Sequence, residues 1–164
     1  MRHCIACGDK LSLKFLENEG LIPFCNTCDA FRFPVFSTAV SAVIVNRDFD
    51  KTLLVKKSGG DFILLAGFIK KGEDAETTLI REAKEETNLH IIKYKFMRTR
   101  YYEASNVLMI NYIAVADNME ITIKDELAKA EWMDFDEAKE KVKKDSLAER
   151  FLIAAIEELK KGKF

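Results

Sequence analysis

The chain lacks a long apolar run, an apolar N-terminal leader and an appreciable net charge. No apolar run approaches the roughly 18 residues of a membrane-spanning helix, so a membrane partner is not expected. The first residues do not form the apolar core of a signal peptide, and a cytoplasmic location is therefore expected. The net charge of −1 gives no overall basic field to attract nucleic acid, so a nucleic-acid partner is not expected either.

The composition is that of a folded domain with a packed core. Hydrophobic residues make up 48% of the 164 residues, and charged residues make up 32%. These fractions are typical of globular domains, and the length predicts one main domain with room for a small appendage.

Four cysteines predict that appendage. They form two Cys-x2-Cys pairs, Cys4 with Cys7 and Cys25 with Cys28, and 17 residues separate the pairs. This spacing is typical of a Cys4 zinc site, in which each pair supplies two thiolates to one tetrahedral ion. Because protein ligands fill all four positions, the Zn²⁺ would be structural. Residues 11–24 alternate loosely like a hairpin, so a zinc ribbon is predicted over residues 1–33.

Two other interpretations of the cysteines exist. The pairs could form disulfides, but disulfides are rare in a chain without an export signal. A single Cys-x2-Cys could be a redox motif, but two copies at ribbon spacing favour zinc.

The most informative segment contains three closely spaced glutamates. Glu82, Glu85 and Glu86 are three and four positions apart, which places them on one side of a helix predicted over residues 74–87. Such like charges repel one another unless a cation lies between them. Clustered carboxylates are the ligands that a hard ion such as Mg²⁺ prefers. The alternative is a solvated acidic helix face.

This segment resembles the Nudix box, G-x5-E-x7-R-E-U-x-E-E-x-G-U, where U is a bulky apolar residue. The matching stretch reads Gly67-x5-Glu73-x7-Arg81-Glu82-Ala83-x-Glu85-Glu86-x-Asn88-Leu89. Ala83 is small for the first U, and Asn88 replaces the last glycine. Asparagine is the usual substitute where a left-handed residue ends a helix, so we expect Asn88 to serve there.

The resemblance implies an α+β fold, a Nudix-type α/β/α sandwich with a mixed β-sheet, over residues 34–164. The residue pattern predicts strands, and it also predicts a C-terminal helix with an apolar stripe from Leu147 to Leu159. A turn with a short strand is expected at residues 117–124, and a helix start at 134–137. In the box helix, Ala75, Leu79, Ile80 and Ala83 are expected to face the core while the glutamates face outward. The predicted strands are residues 38–46, 52–57, 61–65, 91–102 and 107–116.

The resemblance also implies a catalytic Mg²⁺ or Mn²⁺. Its ligands would be Glu82, Glu85, Glu86 and the backbone carbonyl of Gly67. Glu85 and Glu86 then also count as catalytic residues, because such an ion activates water and neutralises diphosphate charge.

Three further assignments concern the chemistry around that ion. Arg81 is assigned to the catalytic residues, and it is expected to pair with Glu73 and hold the loop against the helix. Glu86 is the first candidate for the general base. Glu126, outside the box, is a second candidate for a base or ligand, and Glu103 and Glu120 are weaker rivals.

Outside the box, the chain is similar to NADH pyrophosphatases. The ribbon directly before the box domain, residues 65–69 and residues 126–132 all carry this likeness. One departure is large, because residues 99–107 replace the S-Q-P-W-P-F-P-x-S motif that marks those enzymes. Tyr101 and Tyr102 in that segment could still stack on a base, or could simply pack on a strand. Phe68, beside the box glycine, is also assigned to substrate binding.

The sequence therefore predicts a hydrolase that cleaves the diphosphate linkage of a nucleoside diphosphate derivative, of the NADH, NAD or ADP-ribose type. The alternative is a non-catalytic module that senses a nucleotide or contacts a partner. An intact glutamate set favours the enzyme, since sensing needs no catalytic metal. The resemblance also implies a homodimer.

Overall fold

The computed structural model describes residues 2–124, 126–162 and 164, which divide into two units at Phe36 and Ser37. The sequence placed this boundary before Pro34, so the structure groups three more residues with the first unit. Among the described residues, no helix is long and apolar enough to cross a membrane.

The first unit is a three-stranded antiparallel sheet. Strand β1 (Ser12–Leu16) and strand β2 (Gly20–Cys25) form a hairpin, and the short strand β3 (Ala30–Phe31) pairs with β2. Asn18 has a φ of 67° and Gly20 a φ of 80°, the left-handed conformations that a tight connection requires. The hairpin expected from residues 11–24 is confirmed.

The second unit is built on a mixed sheet. Its main strands lie in the order β10-β5-β4-β9-β8, with β6 paired to β5 and β7 paired to β4. Strands β4 and β9 are parallel, and the other pairs are antiparallel. The strands are β4 (Ser37–Val45), β5 (Lys51–Lys56), β6 (Phe62–Ile63), β7 (Leu65–Phe68), β8 (Ile91–Tyr102), β9 (Val107–Ala116) and β10 (Lys129–Asp134).

Helices cover both faces of this sheet. Successive residues of β4 point to opposite faces, so Ile44 packs with Leu79 of helix α1 (Ala75–Thr87), whereas Val45 belongs to the core on the other side. That second core contains Ala138 of helix α2 (Phe135–Lys141) and Phe151 of helix α3 (Leu147–Lys160). The predicted α/β/α sandwich with a mixed sheet is confirmed.

Three details differ from the sequence prediction. Residues 117–124 contain no strand in the described part of the chain. Their backbone instead runs past the end of α1, where the Thr122 N–H donates to the Thr87 carbonyl at 3.0 Å. Strand β10 was not predicted, because few apolar residues mark it. The strand expected at residues 61–65 is divided into β6 and β7, and a short 3₁₀ turn (Glu103–Ser105) links β8 to β9.

Candidate functional site

The ends of helix α1 are fixed by local capping. Asp74 caps the start, where its carboxylate accepts the Thr77 N–H at 2.7 Å. Asn88 caps the end with a φ of 61°, and its N–H donates to the Lys84 carbonyl at 3.1 Å. The expectation that Asn88 replaces glycine in a left-handed position is confirmed.

Arg81 binds three carboxylates at once. Its Nε donates to Glu73 at 2.6 Å, and one terminal nitrogen donates to Glu82 at 2.6 Å and to Glu85 at 3.0 Å. The other terminal nitrogen reaches the second oxygen of Glu73 at 2.9 Å and the Phe68 carbonyl at 3.2 Å. The expected pairing with Glu73 is confirmed, and the contacts with Glu82 and Glu85 join the loop to the metal-ligand candidates.

These contacts change the ionisation of Glu73. The Arg81 guanidinium lowers the pKa of Glu73 to about 2, and the Thr78 hydroxyl and the Lys70 N–H add to the effect. A carboxylate with so low a pKa has little affinity for a proton and is therefore poorly suited to act as a base near neutral pH. Glu73 therefore positions Arg81 and the loop.

Gly67 lies directly against the Glu82 carboxylate. A Cβ atom placed on Gly67 would be 2.0 Å from the Glu82 Cδ and 2.1 Å from its Oε1. Gly67 is in β7, opposite Val40 of β4, so its backbone position is fixed by the sheet. Any side chain at this position would displace the carboxylate.

Glu86 is buried, contrary to the expectation that all the box glutamates face outward. Only 6% of its surface is exposed, whereas Ile80, expected in the core, is 42% exposed. The backbone beyond β9 lies against the last turn of α1, where the Thr122 N–H donates to the Thr87 carbonyl and the Lys124 N–H to the Glu86 carbonyl. Burial, and next the nearby charge of Glu82, raise the pKa of Glu86 to about 7, while Lys57 opposes the shift.

Most of the candidate residues line one open cleft of about 460 Å³, here called the glutamate cleft because Glu82, Glu85 and Glu86 line it. Glu126 reaches it from the loop before β10, and Tyr102 from the end of β8. The candidates that line it are Gly67, Phe68, Arg81, Glu82, Glu85, Glu86, Tyr102 and Glu126. Glu126 also shares a neighbouring cavity with the three helix glutamates.

Three candidates lie elsewhere. Tyr101 lines a different cleft, and its hydroxyl donates to the Asn106 side chain at 2.6 Å. Glu103 begins the 3₁₀ turn, and neither Glu103 nor Glu120 lines the glutamate cleft.

Two lysines were missed by the sequence analysis. Lys57 Nζ is 3.9 Å from Glu126, and Lys70 Nζ is 4.0 Å from Glu85, and both side chains line the cleft. Lys70 lies between the box residues Gly67 and Glu73, so its position in the motif could have suggested that it is near the site. Lys57 follows β5 and has no motif around it.

The donor set fits a hard divalent cation. Three helix carboxylates and Glu126 line one cleft, and the absence of a side chain on Gly67 leaves room for the Glu82 carboxylate. Carboxylates that lie close together repel one another, and a cation held among them relieves that repulsion.

The four cysteines also come together. Their sulfur atoms lie within 4.8 Å of one another, with Cys7 to Cys25 at 3.5 Å and Cys4 to Cys28 at 3.9 Å. Sulfur atoms about 2.3 Å from a tetrahedral ion are about 3.8 Å apart, so these spacings suit zinc. All four are free cysteines, which disfavours the disulfide interpretation. The Ala6 N–H contributes most to lowering the pKa of Cys4 to about 6, and the Arg32 side chain adds to it.

Comparison with known proteins identifies the larger unit. The model of the NUDIX domain family matches residues 35–153. The "NAD-capped RNA hydrolase NudC" of Yersinia enterocolitica is 30% identical over 140 residues, which cover 83% of this chain and 52% of that protein. The protein of the same name from Yersinia pestis matches equally well. The chain thus spans about half the length of these relatives.

Solved structures share the fold. A NUDIX hydrolase from Nitrosomonas europaea has a TM-score of 0.66 and 18% identity, covering 99% of this chain and 94% of that one. The NUDIX domain of Shewanella oneidensis NrtR, solved with ADP ribose, has a TM-score of 0.63 and 20% identity, covering 85% and 93%.

Proposed function

Because the chain belongs to the NUDIX domain family, we propose that it is a metal-dependent hydrolase that cleaves the diphosphate linkage of a nucleoside diphosphate derivative. The observation that carries this proposal is the cleft in which Glu82, Glu85, Glu86 and Glu126 meet the side-chain-free Gly67. A purely structural acidic face would not bury one of its carboxylates beside the others.

Glu82, Glu85, Glu86 and the Gly67 carbonyl would hold Mg²⁺ or Mn²⁺. When bound, the ion neutralises the diphosphate charge and lowers the pKa of a bound water. Arg81 is the positioning residue of this set, since it holds Glu82 and Glu85 while Glu73 holds Arg81.

Glu86 is the first candidate for the base, and Glu126 is the second. In the protein without a bound ion, burial and next the charge of Glu82 raise the pKa of Glu86 to about 7, where a carboxylate can accept a proton and later release it. A divalent cation held by Glu86 would lower that pKa, so Glu86 would serve as a ligand or as the base, not as both in the same step. Glu126 is exposed, lines the same cleft and lies 3.9 Å from Lys57. Glu86 ranks first because it lines the same cleft as Glu82 and Glu85 and, without a bound ion, holds a proton more readily than an ordinary carboxylate.

The remaining lining residues suit the ends of the substrate. Lys57 and Lys70 place positive charge at the cleft, where diphosphate oxygens would lie. Phe68 and Tyr102 present exposed aromatic faces that can stack on a base.

The names of two similar proteins support a substrate with an internal diphosphate. The Yersinia proteins are named for NAD-capped RNA, and the NrtR domain was solved with ADP ribose. Both ligands contain a diphosphate between two nucleoside or sugar groups. Because residues 99–107 replace the NADH pyrophosphatase motif, we do not expect a strong preference for NADH. Nucleic acid becomes a candidate as the moiety attached to the diphosphate.

The cysteine cluster has a separate role in this proposal. Cys4, Cys7, Cys25 and Cys28 would hold one structural Zn²⁺, which leaves no position open for substrate. Its contribution would be to the folding of the first unit.

The proposal is tested by a substrate screen on the purified chain. NADH, NAD⁺, ADP-ribose, diadenosine polyphosphates, nucleoside triphosphates and a short NAD-capped RNA are incubated with Mg²⁺ or Mn²⁺, and the products are separated by chromatography. Cleavage by the wild type and a loss of most turnover in Glu85→Gln and Glu86→Gln would support it. Near-normal hydrolysis by both variants would reject the metal assignment. Binding of these compounds without turnover would instead identify a sensing module.

A further inference from the structure

A second cleft, of about 450 Å³, is lined by four cationic side chains and is here called the basic cleft. Arg100 reaches it from β8, Lys143 and Lys144 precede α3, and Arg150 lies in the first turns of α3. Asp145 is the acidic residue among its described lining. Because the whole chain carries a net charge of −1, this concentration of positive charge is local.

The four cations differ in their pairing with carboxylates in the described part of the chain. Lys143 Nζ lies 3.6 Å from Asp61, and Lys144 Nζ lies 3.2 Å from Glu149. Arg100 and Arg150 form no ion pair with any residue that the structure describes. Both arginines are exposed, and although the charge of Glu149 acts on Arg150, neither guanidinium group is taken up by an ion pair, so an external anion can reach them.

The start of α3 adds to this positive potential. Ser146 and Leu147, which begin the helix, also line the cleft. The Ser146 hydroxyl accepts the Glu149 N–H at 3.1 Å, which fixes the cap. A helix of 14 residues presents a partial positive charge at this end.

The basic cleft is connected to the glutamate cleft through Tyr102. Tyr102 lines both clefts and an apolar pocket of about 220 Å³. Ala66 and Met109 join the apolar pocket to the glutamate cleft, while Ser146 and Leu147 join it to the basic cleft. One extended ligand can therefore reach from the glutamates past Tyr102 to the arginines.

We infer that the basic cleft binds a phosphate group that the substrate carries in addition to the diphosphate that is cleaved. The inference rests on the proposed function. Arg100 and Arg150 supply planar donor forks, which match phosphate oxygens, and the apolar pocket would hold the base or sugar between the two phosphate sites. The phosphate could be a monoester on the sugar of a dinucleotide or the first internucleotide linkage of a capped RNA.

Matched substrates test this inference. NAD⁺ is compared with NADP⁺, which adds a sugar phosphate, and with a short NAD-capped RNA, which adds phosphodiesters. Arg100→Gln and Arg150→Gln should each lower kcat/KM roughly tenfold for at least one phosphate-bearing substrate and leave kcat/KM for NAD⁺ unchanged. Arg98→Gln is the matched control, because Arg98 is on the same strand, is exposed and lines neither cleft.

The pattern of losses identifies the source of the phosphate. A loss with NADP⁺ alone indicates a sugar phosphate, and a loss with capped RNA alone indicates the nucleic-acid chain. Equal losses for NAD⁺, NADP⁺ and the capped RNA would overturn the inference, and so would no loss for both NADP⁺ and the capped RNA. Hydrolase activity would remain established in both cases.

A binding measurement separates the inference from the proposed function. Calorimetric titration of Glu86→Gln protein compares NADP⁺ and the capped RNA with NAD⁺, with and without Arg150→Gln. Tighter binding of a phosphate-bearing ligand, lost roughly tenfold with Arg150→Gln, supports the basic cleft even if no compound is hydrolysed. Equal affinities for all three ligands in both proteins would reject it.

Discussion

Gly67 and Glu82 occupy adjoining space, so that a methyl group on Gly67 would lie 2.0 Å from the Glu82 carboxylate carbon. The glycine is fixed in β7 by its pairing with β4, whereas the carboxylate is the end of a flexible side chain. The carboxylate would therefore be the group that moves. The box glycine thus leaves space for a metal ligand.

Gly67→Ala should retain the fold and lose metal affinity. The φ of Gly67 is not in the left-handed region, so we expect the free energy of unfolding to change by less than about 1 kcal/mol. Displacement of Glu82 should lower Mg²⁺ affinity and kcat/KM by roughly 10–100-fold. Calorimetric titration with Mg²⁺ and thermal unfolding measure the two effects.

Gly60→Ala is the control, because its added methyl group would make an ordinary 3.4 Å contact with the Lys57 carbonyl. Unchanged Mg²⁺ affinity in Gly67→Ala would show that Mg²⁺ binding does not require the Glu82 carboxylate at the position beside Gly67.

Glu86 should make stability depend on pH when no Mg²⁺ is present. Its pKa rises from 4.5 to about 7 on folding, so the folded state holds a proton that the unfolded state has released. Stability that is present below pH 4.5 is therefore lost as pH rises towards 7. Glu86→Gln removes this loss and should stabilise the metal-free protein by roughly 1–3 kcal/mol at pH 8.

Urea unfolding at pH 5 and pH 8, in buffer without added Mg²⁺, measures the difference. Glu85→Gln is the control, because the Glu85 side chain is 50% exposed and removing its charge relieves little desolvation. If Glu86→Gln had the same stability as the wild type at pH 8, an ionised Glu86 would not destabilise the folded state, and the raised pKa of Glu86 would be contradicted.

Cys25→Ser should remove zinc and loosen the first unit. Cys25 is fully buried at the end of β2, and structural zinc contributes folding free energy directly. We expect the zinc content to fall from about one ion per chain to near zero. Hydrogen exchange should accelerate in residues 2–36 and remain slow in α1.

Asn26→Ala, beside Cys25, keeps all four thiols and should retain zinc, as elemental analysis of both variants would show. A wild-type protein without zinc would contradict the prediction.

The sequence predicted those parts of the site that depend on local spacing. The glutamate positions on α1, the Asn88 cap and the cysteine pairs each follow from residues close together in the chain. The burial of Glu86 did not, because burial depends on segments distant in the chain, such as Thr122 and Lys124, whose backbone bonds to the end of α1. The basic cleft was also missed, since it joins Arg100 to Arg150 from elements far apart in the chain.

The sequence also could not predict which of the two tyrosines at the end of β8 lies at the glutamate cleft. Tyr101 and Tyr102 were equal candidates for base stacking, since both belong to an exposed strand end. The folded structure places both tyrosines at the basic cleft but only Tyr102 at the glutamate cleft as well, because the glutamates come from an element far away in the chain. Tyr102 lines the glutamate cleft, whereas the Tyr101 hydroxyl donates to Asn106.

The two tyrosines should therefore differ in their effect on substrate binding. Tyr102→Ala removes an aromatic face at the glutamate cleft and should weaken binding of ADP-ribose by roughly 1–3 kcal/mol, with a smaller effect on kcat than Glu86→Gln. Tyr102→Phe keeps the ring and should bind nearly as well as the wild type. Tyr101→Ala serves as the matched control, because this substrate lacks the additional phosphate and does not need the basic cleft. Michaelis constants and calorimetric affinities for the three variants make the comparison. If Tyr101→Ala weakened ADP-ribose binding as much as Tyr102→Ala, the base would stack in the basic cleft, which both tyrosines line, and the glutamate cleft would hold only the diphosphate.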